Sequence, residues 1–252
     1  MISFFITVCD EFRELNRLIN QLKAIKNKDD EVIVVYDSNK VTDDVINVLQ
    51  NYDNKFEGYS YLPFDFKGNF SDYKNYGGSL CNRPWIFQID ADEYLSTNLS
   101  ANINNLIQLN SDSDIDLIAL PRVNIVKGIT QRHIDMWGWA IGKDENYSDS
   151  YTMDIKSEEY LLLKNNNFII SEQPTEDSEK FIVRFYPPII NYPDYQTRLY
   201  KNKDSIKWEG KLHEKIVGFN TYSMIPIDND LDLLHFKDID RQERQNNYYK
   251  TL

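Results

Sequence analysis

Two carboxylates one residue apart, Asp90 and Asp92, followed directly by Glu93, end the apolar run Trp85-Ile86-Phe87-Gln88-Ile89. Isoleucine and aromatic enrichment over so short a stretch, opened by Pro84, reads as a buried strand. The acids then stand at its carboxyl end, where open α/β sheets bind ligands. Hard oxygen ligands at this spacing suit Mg²⁺ or Mn²⁺ holding a phosphate. An isolated Asp-x-Asp serves a solvated turn equally well, so the surrounding segments decide its meaning. They are Asp37 in Val35-Tyr36-Asp37-Ser38-Asn39, the run Asn69-Phe70-Ser71-Asp72-Tyr73-Lys74-Asn75, Arg198-Leu199-Tyr200, and Trp208-Glu209-Gly210-Lys211-Leu212-His213-Glu214.

The elements that must position these residues alternate between strand and helix, which predicts an α/β fold with a mostly parallel central sheet flanked by helices. Ile2 to Val8 is the first strand. Helix one follows, with Phe12, Leu15, Leu18, Ile19, Leu22 and Ile25 on one stripe and Asp10 as its cap. Val32 to Tyr36 is a second buried strand, ending at Asp37, and Thr42 caps a second helix through Leu49. A third strand lies within Tyr59–Phe64 and a helix within Phe70–Leu80, weakened by Gly77-Gly78. After the acidic strand come an amphipathic helix carrying Leu99, Ile103, Leu106 and Ile107, then a strand from Ile115 to Leu120 stopped by Pro121. The alternation fails beyond that point. Residues 138–180 are polar, with short apolar runs, and read as a long insertion or loop system covering part of the site. Strand signals return in Phe181–Tyr186, Gln196–Tyr200 and Leu212–Val217, and Ile239–Lys250 reads as a polar terminal helix.

Composition narrows the function. A chain of 252 residues can bury a core as one large α/β domain. Within it a regular half, 1–121, is followed by a less regular half, 122–252. A net charge of −12 without a compensating Lys/Arg cluster disfavours nucleic acid and anionic membrane as partners. No apolar run reaches the roughly 18 residues that span a bilayer, and the apolar start lacks a basic leader. The two cysteines, Cys9 and Cys81, form no disulfide framework, which fits the cytoplasm.

In order and spacing, these segments resemble the family 2 glycosyltransferases of the GT-A fold, especially the branch of lipopolysaccharide-core-type glucosyltransferases. The resemblance covers residues 1 to about 110 and about 195 to 240. It implies an enzyme that moves a sugar from a nucleotide diphosphate sugar, a UDP-sugar, to an acceptor hydroxyl with inversion. The favoured acceptor is a glycan or lipid-linked glycan, as in surface glycan synthesis. By resemblance, Val8 to Glu11 and Asp37 hold the nucleobase and ribose, while Asn69 and Lys74 lie near the diphosphate or the donor sugar. Asp92 is the direct ligand of Mn²⁺ or Mg²⁺, Asp90 stands nearer the ribose or the metal's water shell, and His235 completes the metal site. Glu214 is the general base, with His213 orienting substrate or metal. The family usually has two acids, Gly, Ser and an acid after the second strand. This chain has Tyr36-Asp37-Ser38-Asn39-Lys40, which leaves the nucleobase preference open.

Plainer readings stand beside these. Asp37 is also a good turn residue, Lys74 a good exposed helix residue and Glu93 a good helix-start carboxylate. Glu214 has Arg198 or Lys215 as ready ion-pair partners, and a His after an apolar pair suits a hydrogen-bonded core position, as His235 would. Trp137 and Trp139 offer an acceptor platform or core packing; His133, beside Arg132, carries no motif. Rival functions are a transferase acting on modified nucleic acid, a non-catalytic sugar-nucleotide-binding relative, and a nucleotidyltransferase. The last lacks a Gly-rich signature near the first strand.

Overall fold

All seven residues of β1 (Ile2–Val8) are buried, as an apolar and β-branched run dictates for a strand covered on both faces. In the computed structural model, residues 1–142, 149–157, 160–161, 169–176, 180–186 and 188–250 are described. They divide into two units, Met1–Arg122 with Tyr195–Leu234, and Val123–Asp194 with His235–Leu252.

In the first unit, β1 is followed by α1 (Phe12–Ile25), β2 (Glu31–Asp37), α2 (Asp43–Tyr52), β3 (Tyr59–Phe64), α3 (Phe70–Ser79), β4 (Trp85–Asp90), β5 (Glu93–Leu95) and α4 (Thr97–Asn110). Next come β6 (Leu117–Lys127) and the rest of the chain: α5 (Gln131–Trp137), β7 (Ile141–Gly142), β8 (Asp149–Met153), β9 (Ile169–Pro174), β10 (Phe181–Tyr186), β11 (Ile189–Lys201), β12 (Lys207–Glu209), β13 (Lys215–Val217), β14 (Tyr222–Met224), β15 (Leu233–Asp238) and α6 (Ile239–Tyr249). The sheet of the first unit runs β3-β2-β1-β4-β11-β6. Strands β1 to β4 pair in parallel, β14 pairs in parallel with the start of β6, and β11 is antiparallel to β4. The α/β, mostly parallel architecture predicted from the pattern is therefore present.

Local chemistry explains most boundaries. Asp30 accepts from the Ile2 amide (2.7 Å) and the Asn27 amide (2.8 Å), tying the start of β1 to the turn before β2. Thr42 and Ser96 accept from Val45 N and Leu99 N and so cap α2 and α4. Asp10 does not cap α1: the N-cap position falls on Glu11, whose Oε2 accepts from the amides of Cys9 (2.7 Å) and Asp10 (3.0 Å). Gly77 lets α3 lie directly on β1, because a Cβ there would come within 1.9 Å of Phe5 Cζ. The glycine pair thus serves close helix–strand approach, and the helix continues through it. Pro121 does not stop β6, since proline's backbone angle fits an extended chain and the β14 pairing ends at Ala119, before the missing N–H.

In the second unit, β8, β10 and β9 form an antiparallel three-stranded sheet. The stretch expected to be a long insertion thus contains strands. Residues 143–148, 158–159, 162–168 and 177–179 of it lie outside the described residues, as does its expected cover over the site. A second apolar cluster gathers Val126, Ile129, Ile190 and Ile239, with Trp137 and Trp139 packed against it.

Replacing Gly77 by Ala should force the fully buried Phe5 ring to move and lower the stability of the fold by about 1–3 kcal/mol, the usual cost of overpacking. Urea unfolding of the variant measures the loss.

Candidate active site

The parallel registers bring three strand ends to one edge. Val8 stands opposite Tyr36 and Thr7 opposite Asp90, so Asp37, the end of β1 and Asp90 lie together at the carboxyl side of the sheet. Of the acids, Asp90 is the most heavily engaged. Its Oδ1 accepts from Thr7 Oγ1 (2.8 Å) and Gln88 Nε2 (2.9 Å), and its Oδ2 accepts from Arg198 Nη2 (2.5 Å). Burial alone would raise the Asp90 carboxyl. Arg198, then Lys74, Gln88 and Thr7, outweigh it and hold the group well below the usual carboxylate range.

Arg198 is buried between the strands, and its Nη1 also donates to Gln88. Continuing the antiparallel register of Leu199 with Phe87 by one residue sets Arg198 opposite Gln88, so the pairing follows from the sheet. Its second anchor is Glu93, wholly buried, whose Oε1 accepts from Arg198 Nη2 and from Arg122 Nη1 at 2.8 Å each. The other Glu93 oxygen accepts from the Asp90 amide (3.1 Å). Burial opposes the charge on Arg198, but the two carboxylates keep it protonated well above its ordinary value. Glu93 is thus a structural counter-ion in β5, not a helix-start carboxylate, since α4 begins only at Thr97.

Lys74, read as a candidate for an exposed helix face, is buried. Its Nζ lies 2.6 Å from Glu214 Oε1, 3.8 Å from Asp90 Oδ1 and 4.4 Å from the centre of the Trp208 ring. Glu214 pairs with Lys74 and not, in the ion pairs seen, with Arg198 or Lys215. The loop carrying it is docked on α3 by Asn75, whose amide donates to Trp208 O and accepts from Trp208 N, both at 2.8 Å. Phe70 N adds a bond to Lys211 O (3.1 Å). Gly210 (φ 109°) and His213 (φ 54°) adopt left-handed backbone, which turns the chain so that Glu214 points back to Lys74 while His213 is exposed.

The remaining candidates have local partners as well. Asn69 caps α3, its Oδ1 accepting from Ser71 N (3.1 Å) and its Nδ2 donating to Asp72 (2.7 Å). Asp37 Oδ1 accepts from Asn39 N (2.9 Å), an Asx turn at the end of β2. Val8 O accepts from the buried Tyr73 hydroxyl (2.9 Å), which also reaches Val35 O (2.7 Å) and so bridges the ends of β1 and β2. Nothing in the sequence pattern singled out Tyr73. Cys9, beside it, has its thiol pushed up to about 12 by burial and the acids Glu11, Asp10 and Asp37. Asp92 is half-buried in the turn between β4 and β5.

His235 belongs to the second unit. There Asp194 Oδ2 accepts from Asn124 Nδ2 (2.9 Å), which fixes the amide so that its oxygen faces His235 Nδ1, also at 2.9 Å. In the neutral ring Nδ1 then carries the proton. Trp137 and Trp139 pack on each other, ring centres 4.6 Å apart, in the apolar cluster of that unit, and His133 completes a capping box on α5.

Among the described residues, no three His, Cys, Asp or Glu side chains gather to hold a metal ion. With both Asp90 oxygens engaged, the site does not fit a cage built from protein alone. It fits a cation held through one carboxylate, Asp92, with phosphate oxygens as the other ligands, a common way of binding Mg²⁺.

The model of the family described as Glycosyl transferase family 2 matches residues 3–169. The chain belongs to glycosyl transferase family 2. Uncharacterized glycosyltransferases of Rickettsia typhi and Rickettsia prowazekii are each 34% identical to it over 102 residues, 40% of this chain and 31% of theirs. The chain therefore spans about a third of the length of those curated relatives. Among solved structures, S. aureus TarS in complex with UDP aligns with a TM-score of 0.47 at 11% identity, covering 90% of this chain and 61% of TarS. The mannosyltransferase PcManGT from Pyrobaculum calidifontis, in complex with GDP-Man and Mn²⁺, gives 0.42 at 11% identity over 48% of this chain and 35% of its own. No helix among the described residues is long and apolar enough to cross a membrane.

Replacing Arg198 by Met strands the buried charge of Glu93 and Asp90, and should destabilise the fold by about 3–5 kcal/mol in thermal unfolding. The lowered carboxyl of Asp90 favours the folded state above its ordinary value near 3.8 and loses that contribution as pH falls through the lower folded value. Acid unfolding of Asp90→Asn should accordingly show a shallower decline of stability below about pH 4 than the parent protein.

Proposed function

We propose that this protein transfers a sugar from a nucleotide diphosphate sugar, a uridine one, to an acceptor hydroxyl, with inversion at the anomeric carbon. The observation that carries the reading is the meeting of Asp90, Lys74 and Glu214 at the carboxyl edge of the sheet, within 3.8 Å of one ammonium. An anion-neutralising cation and a carboxylate able to accept a proton are what an inverting displacement requires of its two sides.

In this reading Asp37 and the chain from Val8 to Glu11 receive the base and ribose, and Lys74 offsets the negative diphosphate. Asn69 contributes by starting α3 in the orientation that brings Lys74 to the edge. Glu214 takes the acceptor's proton as its oxygen attacks the anomeric carbon, and the exposed His213 beside it contacts the acceptor. Asp92 would hold the divalent cation, Mn²⁺ or Mg²⁺, together with diphosphate oxygens. That ion supplies Lewis-acid neutralisation of the leaving group when bound. Asp90, neutralised by Arg198, orders the edge around it. His235 lies in the second unit with its Nδ1 facing Asn124 and takes no part in this reading. The proposed acceptor is a glycan or lipid-linked glycan, and the two free cysteines suit a cytoplasmic setting.

Incubating the protein with Mn²⁺ and a panel of nucleotide sugars, and following which nucleoside diphosphate is released, tests the donor. UDP should appear from one UDP-sugar in preference to GDP or CDP from theirs; no release from any donor would refute the reading. Asp92→Ala should abolish release while leaving the circular dichroism unchanged. Glu214→Gln should slow transfer to an acceptor by about 10²–10⁴-fold, the usual worth of a positioned base.

A further inference from the structure

Three carboxylates, Asp90, Glu93 and Glu214, share three cations, Lys74, Arg122 and Arg198, at the carboxyl edge. The two guanidinium groups converge on Glu93, which has no solvent exposure, and Arg198 is further tied to Asp90 and Gln88. Lys74 is differently placed. Its close partner is Glu214, whose side chain keeps 14% of its surface, and its distance to Asp90 is the longer 3.8 Å. A diphosphate that reaches Lys74 meets an ammonium already taken by Glu214 and gains it at the expense of that bond.

We infer that Lys74 is shared between the donor and Glu214, so that nucleotide binding draws the ammonium away and releases the carboxylate for the acceptor. This rests on the transferase reading above. Three features make the exchange a discrete one. Asn75, the next residue on α3, docks the Trp208 backbone, so the loop bearing Glu214 stays beside Lys74 whichever partner the ammonium takes. The Trp208 ring, 4.4 Å from Nζ, offers the ammonium a face along which either partner is reached with little loss of contact. Arg198 keeps Asp90 satisfied in both states. Without nucleotide, Glu214 is held as one half of an ion pair, its Oε1 facing the Lys74 ammonium instead of an acceptor hydroxyl. Lys74 thus positions Glu214 and couples the two substrates.

Linkage makes the coupling reciprocal: if a diphosphate must compete with Glu214 for Lys74, removing the charge of Glu214 must tighten diphosphate binding. Calorimetric titration with UDP at constant Mn²⁺ tests it on the full chain. Glu214→Gln should bind UDP about three- to tenfold more tightly than the parent, the scale of a partly exposed ion pair. Lys74→Gln should bind it more weakly, and adding Glu214→Gln to Lys74→Gln should change nothing further. Glu209→Gln, which removes the same charge from the exposed start of the same loop, should bind as the parent does. Unchanged or weaker binding by Glu214→Gln overturns the coupling, as does a gain that survives in the Lys74→Gln background or is matched by Glu209→Gln. If Lys74→Gln does not fold, the comparison of Glu214→Gln with Glu209→Gln decides alone. Absence of binding by the parent to UDP and to every other nucleoside diphosphate would instead defeat the donor reading, and the coupling with it.

Discussion

A guanidinium buried between two carboxylates is tolerable only if every charge is met at close range, because uncompensated ions in a low-dielectric interior cost several kcal/mol each. Arg198 satisfies that requirement through Gln88, Asp90 and Glu93, which belong to β4 and the short strand after it. Since Glu93 also accepts from the Asp90 amide, the turn holding Asp92 is closed at both ends by one ionic cluster. The edge of the sheet is consequently rigid where the acids stand. Within that cluster three carboxylates are met by three cations.

That balance gives the edge its chemical character. A divalent ion alone would face Arg198 and Lys74, two cations that repel it, and would find the oxygens of Asp90 engaged. A diphosphate alone would have to detach an ammonium from a carboxylate. In the proposed reading, a diphosphate bound together with its cation meets both constraints at once.

Strand and helix identity was legible in the sequence because the apolar period is strong: β1, β2 and β4 are buried runs, and Leu15, Leu18, Ile19 and Leu22 form one stripe of α1. The convergence of Asp37 and Asp90 followed from parallel pairing alone. Partner choice was harder to read. Lys74 is polar on a polar helix, and only the docking of the Trp208 loop, more than a hundred residues away in sequence, buries it. Arg198 stood in a recognised motif but without a role, since an Arg inside a strand reveals its counter-ions only once the register with β4 is known. Asn69 and Asp37 show the reverse: their cap and turn bonds are local, and a polar residue just before a helix or just after a strand signals them directly. Pro121 and the polar stretch from 138 misled because strand continuation and three-strand pairing there depend on long-range partners.

The two hydrogen bonds from Asn75 go to main-chain atoms of Trp208, so they read the path of the backbone and are indifferent to the side chains beyond it. A hairpin clasped in this way can exchange its tip residues without slipping against the helix that grips it. Substitutions at Lys211 and Leu212 therefore leave the clasp in place, since neither side chain takes part in it.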